Sequence, residues 1–300
     1  MRKSSGFILV SVMIASATLL TAATAFAWFA RTEARAEAAR ERIYRFRNAA
    51  QIAVNIMSRR IAEDRNGYDG PTESLYDPYE HVKLEIGDYT AEVQIRPLND
   101  KIPISGLLLP DGVTPRSEYE TAWENVWEAL ELPRLAWEVV DFIDADTDQR
   151  LGGAERETNI NRMISDLSEL RAMPEITDGV LWGTDEIPGG LARYVTVIGG
   201  EKINVNVAAP EVLAVLDDAL TPSHARSIAA YRLVNPIKDM EGLRNVPGFP
   251  ASLTTKLANI IGFESTHFLL SVKVSDGAGN VRNYRAVVER GGSGAYSWEE

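Results

Sequence analysis

From Phe7 to Ala30 no residue carries a charge, and neither proline nor glycine interrupts residues 7 to 64. At about 1.5 Å rise per residue the uncharged part makes a helix of roughly 36 Å, enough for a bilayer core of about 30 Å. Charge returns at Arg31, yet the helical pattern runs on, because Ile43, Phe46, Ala50, Ala53, Met57 and Ile61 recur at spacings of three and four. One helix is therefore expected, apolar over 7–30 and amphipathic over 31–64.

Two processing routes fit this start. In one, a secretory signal is cut at the small-x-small site Ala25-Phe26-Ala27. In the other, residues 1–6 form a short leader cut between Gly6 and Phe7, and the apolar segment stays as an anchor. The run exceeds the usual signal core of about 7–15 residues and continues through Trp28 and Phe29. The amino terminus alone leaves both open.

Charge is unevenly placed. The net charge is −12, although residues 31–60 hold eight arginines against three glutamates. The remainder is thus more acidic than the whole, and an acidic body repels phosphate backbones, so no nucleic-acid partner is expected. By the positive-inside bias the arginines would place the body in the cytoplasm, but long domains translocate largely regardless of flanking charge. The body is expected outside the cytoplasm despite that tension. There is no cysteine, which removes disulfides, thiolate metal sites and cysteine nucleophiles.

Asn66-Gly67 and Asp69-Gly70-Pro71 end the long helix. Strict alternation then predicts a hairpin, with Val82, Leu84 and Ile86 on one face of its first strand and Tyr89, Ala91, Val93 and Ile95 on one face of its second. Residues 116–143 predict a helix broken at Pro133, with Trp123, Trp127 and Leu130 as core. Short helices are expected over 210–220, 222–233, 238–245 and 252–261, then strands over 268–274 and 281–288. The order predicts an α+β fold: a sheet from 65–110 and 264–290, an inserted helical domain over 111–263, and a flexible tail over 291–300.

Enzyme chemistry is not expected. His81, His224 and His267 are isolated, and there is no nucleophile elbow or phosphate-binding glycine loop. Residues 243–261, around Val246-Pro247-Gly248-Phe249-Pro250, resemble a helix-hairpin-helix element inside 210–263. Pro250 replaces its second glycine, and basic and acidic residues balance from Ile203 to Phe263, so a structural or protein-contact role is expected over DNA binding. Asp144, Asp146, Asp148 and Glu155 fall at positions 1, 3, 5 and 12 of a twelve-residue loop, the oxygen spacing of an EF-hand. Leu151 takes the apolar eighth position, while Gln149 stands where the turn glycine belongs. Two readings of these four carboxylates stay open, a calcium site and an acidic loop that caps helices, and no cofactor is required.

Several segments carry a family resemblance. Val140-Asp141-Phe142-Ile143-Asp144-Ala145-Asp146 with Gly153-Ala154-Glu155, then Ser168-Glu169-Leu170-Arg171, then Lys202 to Ala208 leading into Pro210-Glu211-Val212-Leu213, and finally Arg285 to Arg290 occur in one order. Together with the leader they resemble the minor pseudopilin K family of type II secretion systems. Two departures are Phe142 in place of a tryptophan and Thr158-Asn159-Ile160-Asn161 in place of a tyrosine-rich stretch. The resemblance implies a prepilin leader cleaved after Gly6, a single-pass inner-membrane anchor and a periplasmic body. It also implies a place at the pseudopilus tip, with other minor pseudopilins (I and J type), the prepilin peptidase and the inner-membrane secretion platform as partners. The fifth mature position, a glutamate in most pilin-like subunits, is Ser11. A different class of function stays as the alternative: a secreted or membrane-anchored helix-hairpin-helix module of the DNA-uptake kind.

Overall fold

The computed structural model describes residues 4–292 and 295–299, the side chains of 4–6 and 295–299 excepted. Residues 1–3 of the expected leader lie outside the described residues.

Helix α1 runs unbroken from Ser4 to Glu63. With no proline or glycine after Gly6, nothing breaks it before Glu63, and the chain then turns away through Gly67, whose φ of 86° favours glycine. Strands β1 (Val82–Ile86) and β2 (Tyr89–Pro97) follow as the expected hairpin. Next come β3 (Ile102–Pro103), α2 (Ser117–Ala129), α3 (Leu135–Ile143), α4 (Asp178–Trp182), β4 (Val195–Thr196), β5 (Ile203–Asn204), α5 (Pro210–Ala214), α6 (Pro222–Tyr231), α7 (Met240–Arg244), α8 (Leu253–Leu257) and β6 (Ile261–Gly262). The chain closes with β7 (His267–Asp276), β8 (Val281–Glu289) and β9 (Ala295–Glu299).

One antiparallel sheet has the order β1-β2-β7-β8-β9. Pro97 pairs with Phe268 where β2 leaves the sheet and β7 re-enters it. Residues 98–266 are thus one very long loop between neighbouring strands. Entry and exit are adjacent, so the insertion leaves the sheet's register undisturbed.

Each half has its own core. On the sheet side Phe46, Ala49, Ala50, Ala53, Val54, Met57 and Ile61 of α1 are buried with Ala91, Val93, Ile95, Leu270, Val272 and Val274. The alanines let the helix axis approach the sheet closely, and Phe46 meets Tyr89 edge-on at 5.0 Å between ring centroids. In the insertion Trp123 and Trp127 pack edge-to-face at 5.6 Å, and Trp123 Nε1 donates to Ala136 O at 2.7 Å, joining α2 to α3 across the Pro133 break. Both tryptophans are core residues.

Three boundaries differ from expectation. Ile102, Ile104, Leu107 and Leu108 belong to the insertion's core, so that unit begins near residue 98 rather than 111. Their run is apolar without a period, which gave no sign of which core it joins. The insertion is also less helical than its pattern suggests, since α4, α5, α7 and α8 have 5 residues each. Finally, Ala295–Glu299 pair with β8 as β9, where a flexible tail was expected. The edge of β8 offers unpaired backbone groups, and five residues beyond a glycine turn are enough to cover them.

Candidate functional site

The two cores meet at a polar joint. Asp69, fully buried, accepts from Arg290 Nη2 at 2.5 Å and from Ser265 N. Arg290 also donates to Ile61 O at 3.0 Å and Asp64 O at 3.1 Å, capping the carbonyl end of α1. Buried Asn204 donates to Asp69 O and Ser265 Oγ, each at 2.9 Å, and Asn99 bridges Lys202 O at 3.0 Å and Thr266 N at 3.0 Å. Burial raises the Asp69 carboxyl's affinity for its proton, while Ser265 and Arg290 pull it back down. This network fixes the insertion against the spine helix. Sequence reading missed it, because its members are scattered across more than 200 positions and only the fold brings them together.

A second acidic group lies beside the joint. One oxygen each from Asp64, Asp69 and Glu73 lies within 4.8 Å of the others, and Tyr76 donates to Asp64 at 3.0 Å. Burial first, then the neighbouring Asp64 and Asp69 carboxylates, push the Glu73 carboxyl up to about 8.

The candidate calcium loop is partly assembled. Asp144, Asp146 and Glu155 each bring one oxygen within 4.8 Å of the others. Asp148 lies outside this group and is exposed. Asp141, one turn earlier on α3, is fully buried beside it and was not singled out, because the loop template starts at Asp144. Its signal is its place three residues ahead, on the same helix face. Arg150 pairs with Asp141 at 3.4 Å and with Asp144. Even so, Asp144 Oδ1, Glu155 Oε1 and Asn161 Oδ1 are buried with no hydrogen-bond partner. Burial is the leading cause that raises Asp141, Asp144 and Glu155, and neighbouring carboxylates add to it. Orphan oxygens held among like charges suit a hard cation.

The loop is not an EF-hand. Only α3 flanks it, no helix follows Glu155 directly, and Leu151 is 99% exposed where the template packs an apolar residue. Gly152, at φ 83°, supplies the bend that Gln149 does not.

Along the apolar part of α1, Ser11 Oγ donates to Phe7 O at 2.9 Å, and Thr18, Thr21 and Thr24 likewise bond to carbonyls three or four residues back. Hydroxyls satisfied within the helix can enter hydrocarbon without an unpaired donor. The segment is long and apolar enough to cross a membrane, and none of its most apolar stretch is buried by the protein.

The helix-hairpin-helix-like element is α7, a turn and α8. Asp239 caps α7 through Gly242 N at 2.7 Å, Gly248 takes φ 81°, and Val246, Phe249 and Leu253 are buried in the insertion's core. Its apolar residues are used inside the molecule.

A long amino-terminal helix laid on an antiparallel sheet, with an inserted block between two neighbouring strands, defines a pilin-like α+β subunit. Residues 203–264 match the family model for Type II secretion system (T2SS), protein K. The fold is similar to a chain in the crystal structure of the GspK-GspI-GspJ complex from the enterotoxigenic Escherichia coli type 2 secretion system, with TM-score 0.58 and 14% identity over 90% of this chain and 98% of that one. No curated protein sequence matches the chain. Family match and fold point the same way, toward similarity with minor pseudopilins of the protein K type.

Proposed function

We propose that this chain is the tip and initiation subunit of a type II secretion pseudopilus, anchored in the inner membrane by α1 with its body in the periplasm. The observation that carries the reading is the protein K match at 203–264, which falls inside the block inserted between β2 and β7. A block of that size beside the sheet would obstruct lateral packing along a filament shaft but not at its end. Ser11 points the same way. A serine cannot neutralise a neighbour's ammonium in hydrocarbon, where an unpaired charge is expensive, so the subunit suits the one place with no neighbour above it. Its partners would be minor pseudopilins of the I and J type, in keeping with the complex that holds the structurally similar chain. The prepilin peptidase would cut between Gly6 and Phe7, and the secretion platform would receive the cleaved subunit. Calcium bound by Asp144, Asp146 and Glu155 would hold the end of α3 to the following loop.

The DNA-uptake alternative loses ground because basic and acidic residues balance across 203–263, which leaves no basic footprint for a phosphate backbone. Sequencing the mature amino terminus from membranes tests the proposal. Phe7 as the first residue is expected, and Trp28 would end the anchored reading. The full-length chain in detergent should also co-elute with I- and J-type partners, and persistent separation would count against it.

A further inference from the structure

The arginines just past the apolar run have no part in the fold. Arg31 and Arg35 are exposed, and among the described residues neither forms a salt bridge, whereas Arg40 and Arg45 pair with Glu37 and Glu41. Their placement on α1 is directional. Eighteen residues make about five full turns, so Arg31 and Arg35 project on the same face as the buried Ala49 and Ala53. Arg42 lies within about 40° of that stripe, while Glu33 and Glu37 fall roughly opposite. The arginine stripe therefore runs down the side of the helix that carries the body.

Among the described residues, the body meets this stripe at Arg42, and no salt bridge or side-chain hydrogen bond joins it to Arg31 or Arg35. The lowest packing of the sheet on α1 is at Phe46 against Tyr89, and the β7–β8 end meets the helix at a cleft lined by Arg42, Phe46, Asn280 and Tyr284. Arg31 lies about 16 Å further along, and Arg35 about 10 Å. This gap between body and membrane is where the stripe faces.

We propose that Arg31 and Arg35 bind the phosphates of anionic phospholipid headgroups in the leaflet beneath the body, an inference that rests on the membrane-anchor reading of α1. The geometry matches the layer. The headgroup region adds about 5–8 Å beyond each side of the hydrocarbon. Arg31 is the first residue past the apolar run, and Arg35 follows about 6 Å later, so both guanidinium groups sit at phosphate depth. Guanidinium takes phosphate through two parallel hydrogen bonds, which fixes rotation as well as depth. Charge complementarity supplies the reason. The chain beyond residue 60 is strongly acidic and is repelled by an anionic surface, and the stripe offsets that repulsion on the side where the body overhangs the lipid. The arginine excess on the body's side of the membrane, which runs against the positive-inside bias, then has a use.

The test uses the full-length chain in phosphatidylcholine nanodiscs carrying trace spin-labelled phosphatidylglycerol or phosphatidylcholine. It reads the relative association of each label with the protein. The wild type should prefer phosphatidylglycerol, and the preference should fall by about fivefold for each arginine removed in Arg31→Gln/Arg35→Gln. Arg59→Gln, about 42 Å from Arg31 along the helix, should leave it unchanged. Equal association of the two labels, or a preference that survives the double substitution, would overturn the proposal. So would loss of I- and J-type partner binding in the double variant with lipid preference intact, which would assign the stripe to a protein surface. Failure to insert into either disc would sink the anchor reading together with this one, whereas insertion without selectivity overturns this one alone.

Discussion

Where α1 meets the sheet, apolar residues recur at one helical period on one side and one strand period on the other, and the two stripes face each other. In the insertion, α4, α5, α7 and α8 last five residues each, and buried side chains come from loops as often as from helices. The sheet half gets its order from repetition, whereas the insertion is held by particular side chains: Trp123 reaching Ala136 O, Asn206 reaching Ile237 O at 2.8 Å, and Arg232 reaching Val205 O and Ala208 O. Periodic packing tolerates drift in sequence as long as the pattern survives. Specific polar contacts do not, which fits a family match confined to 203–264, within the insertion.

If the two cores are independent, damage to each should add. Phe268→Ala in the sheet half and Trp127→Ala in the insertion should each lower stability by about 3–5 kcal/mol. The double variant should equal their sum within about 0.5 kcal/mol in denaturant unfolding. A clear departure from additivity would make the two cores one.

The joint should behave in the opposite way, since it belongs to both halves. Arg290→Ala leaves the buried Asp69 without its cation and should cost about 3 kcal/mol or more. Asp69→Asn/Arg290→Ala should recover part of that loss. Additive single effects would mean that the pair is not coupled.

Calcium separates the insertion from the sheet more gently. Asp146→Ala should remove the rise in melting temperature that calcium gives the wild type and change little in chelator, whereas Asp148→Ala should keep that rise. Equal shifts in both variants and the wild type would remove the site.

A separate, pH-dependent effect is expected at Glu73, beside the joint. Its carboxyl titrates near 4.5 when unfolded and at about 8 when folded. The native state therefore binds the extra proton between those values, and stability falls as pH rises through that window, then levels off. Glu73→Gln should flatten this part of the stability profile, and an unchanged slope would place its origin elsewhere.

The legible parts of this fold were the repetitive ones. The span of α1, the β1–β2 hairpin and the β7–β8 pair follow from period and from turns such as Gly87 and Asp276–Asn280. The start of the insertion was not legible, because Ile102 to Leu108 have no period. Nor was β9, whose pairing depends on the free edge of β8. Of the candidate calcium ligands, spacing identified Asp144, Asp146 and Glu155 as a group but included Asp148. It left out Asp141, because a loop template knows nothing of the helix before it. The joint of Asp69, Asn99, Asn204, Ser265 and Arg290 carries no local signal at all.

The claim that joins these observations is that a bulky insertion on a pilin-like frame, with Ser11 in its anchor, confines this subunit to a filament end. Gold-labelled full-length chain, assembled with its partner pseudopilins and viewed by electron microscopy, tests that directly. The account predicts label at one end of each filament and failure of filaments to start when the chain is omitted. Label at regular intervals along the shaft, or normal initiation without the chain, would contradict it.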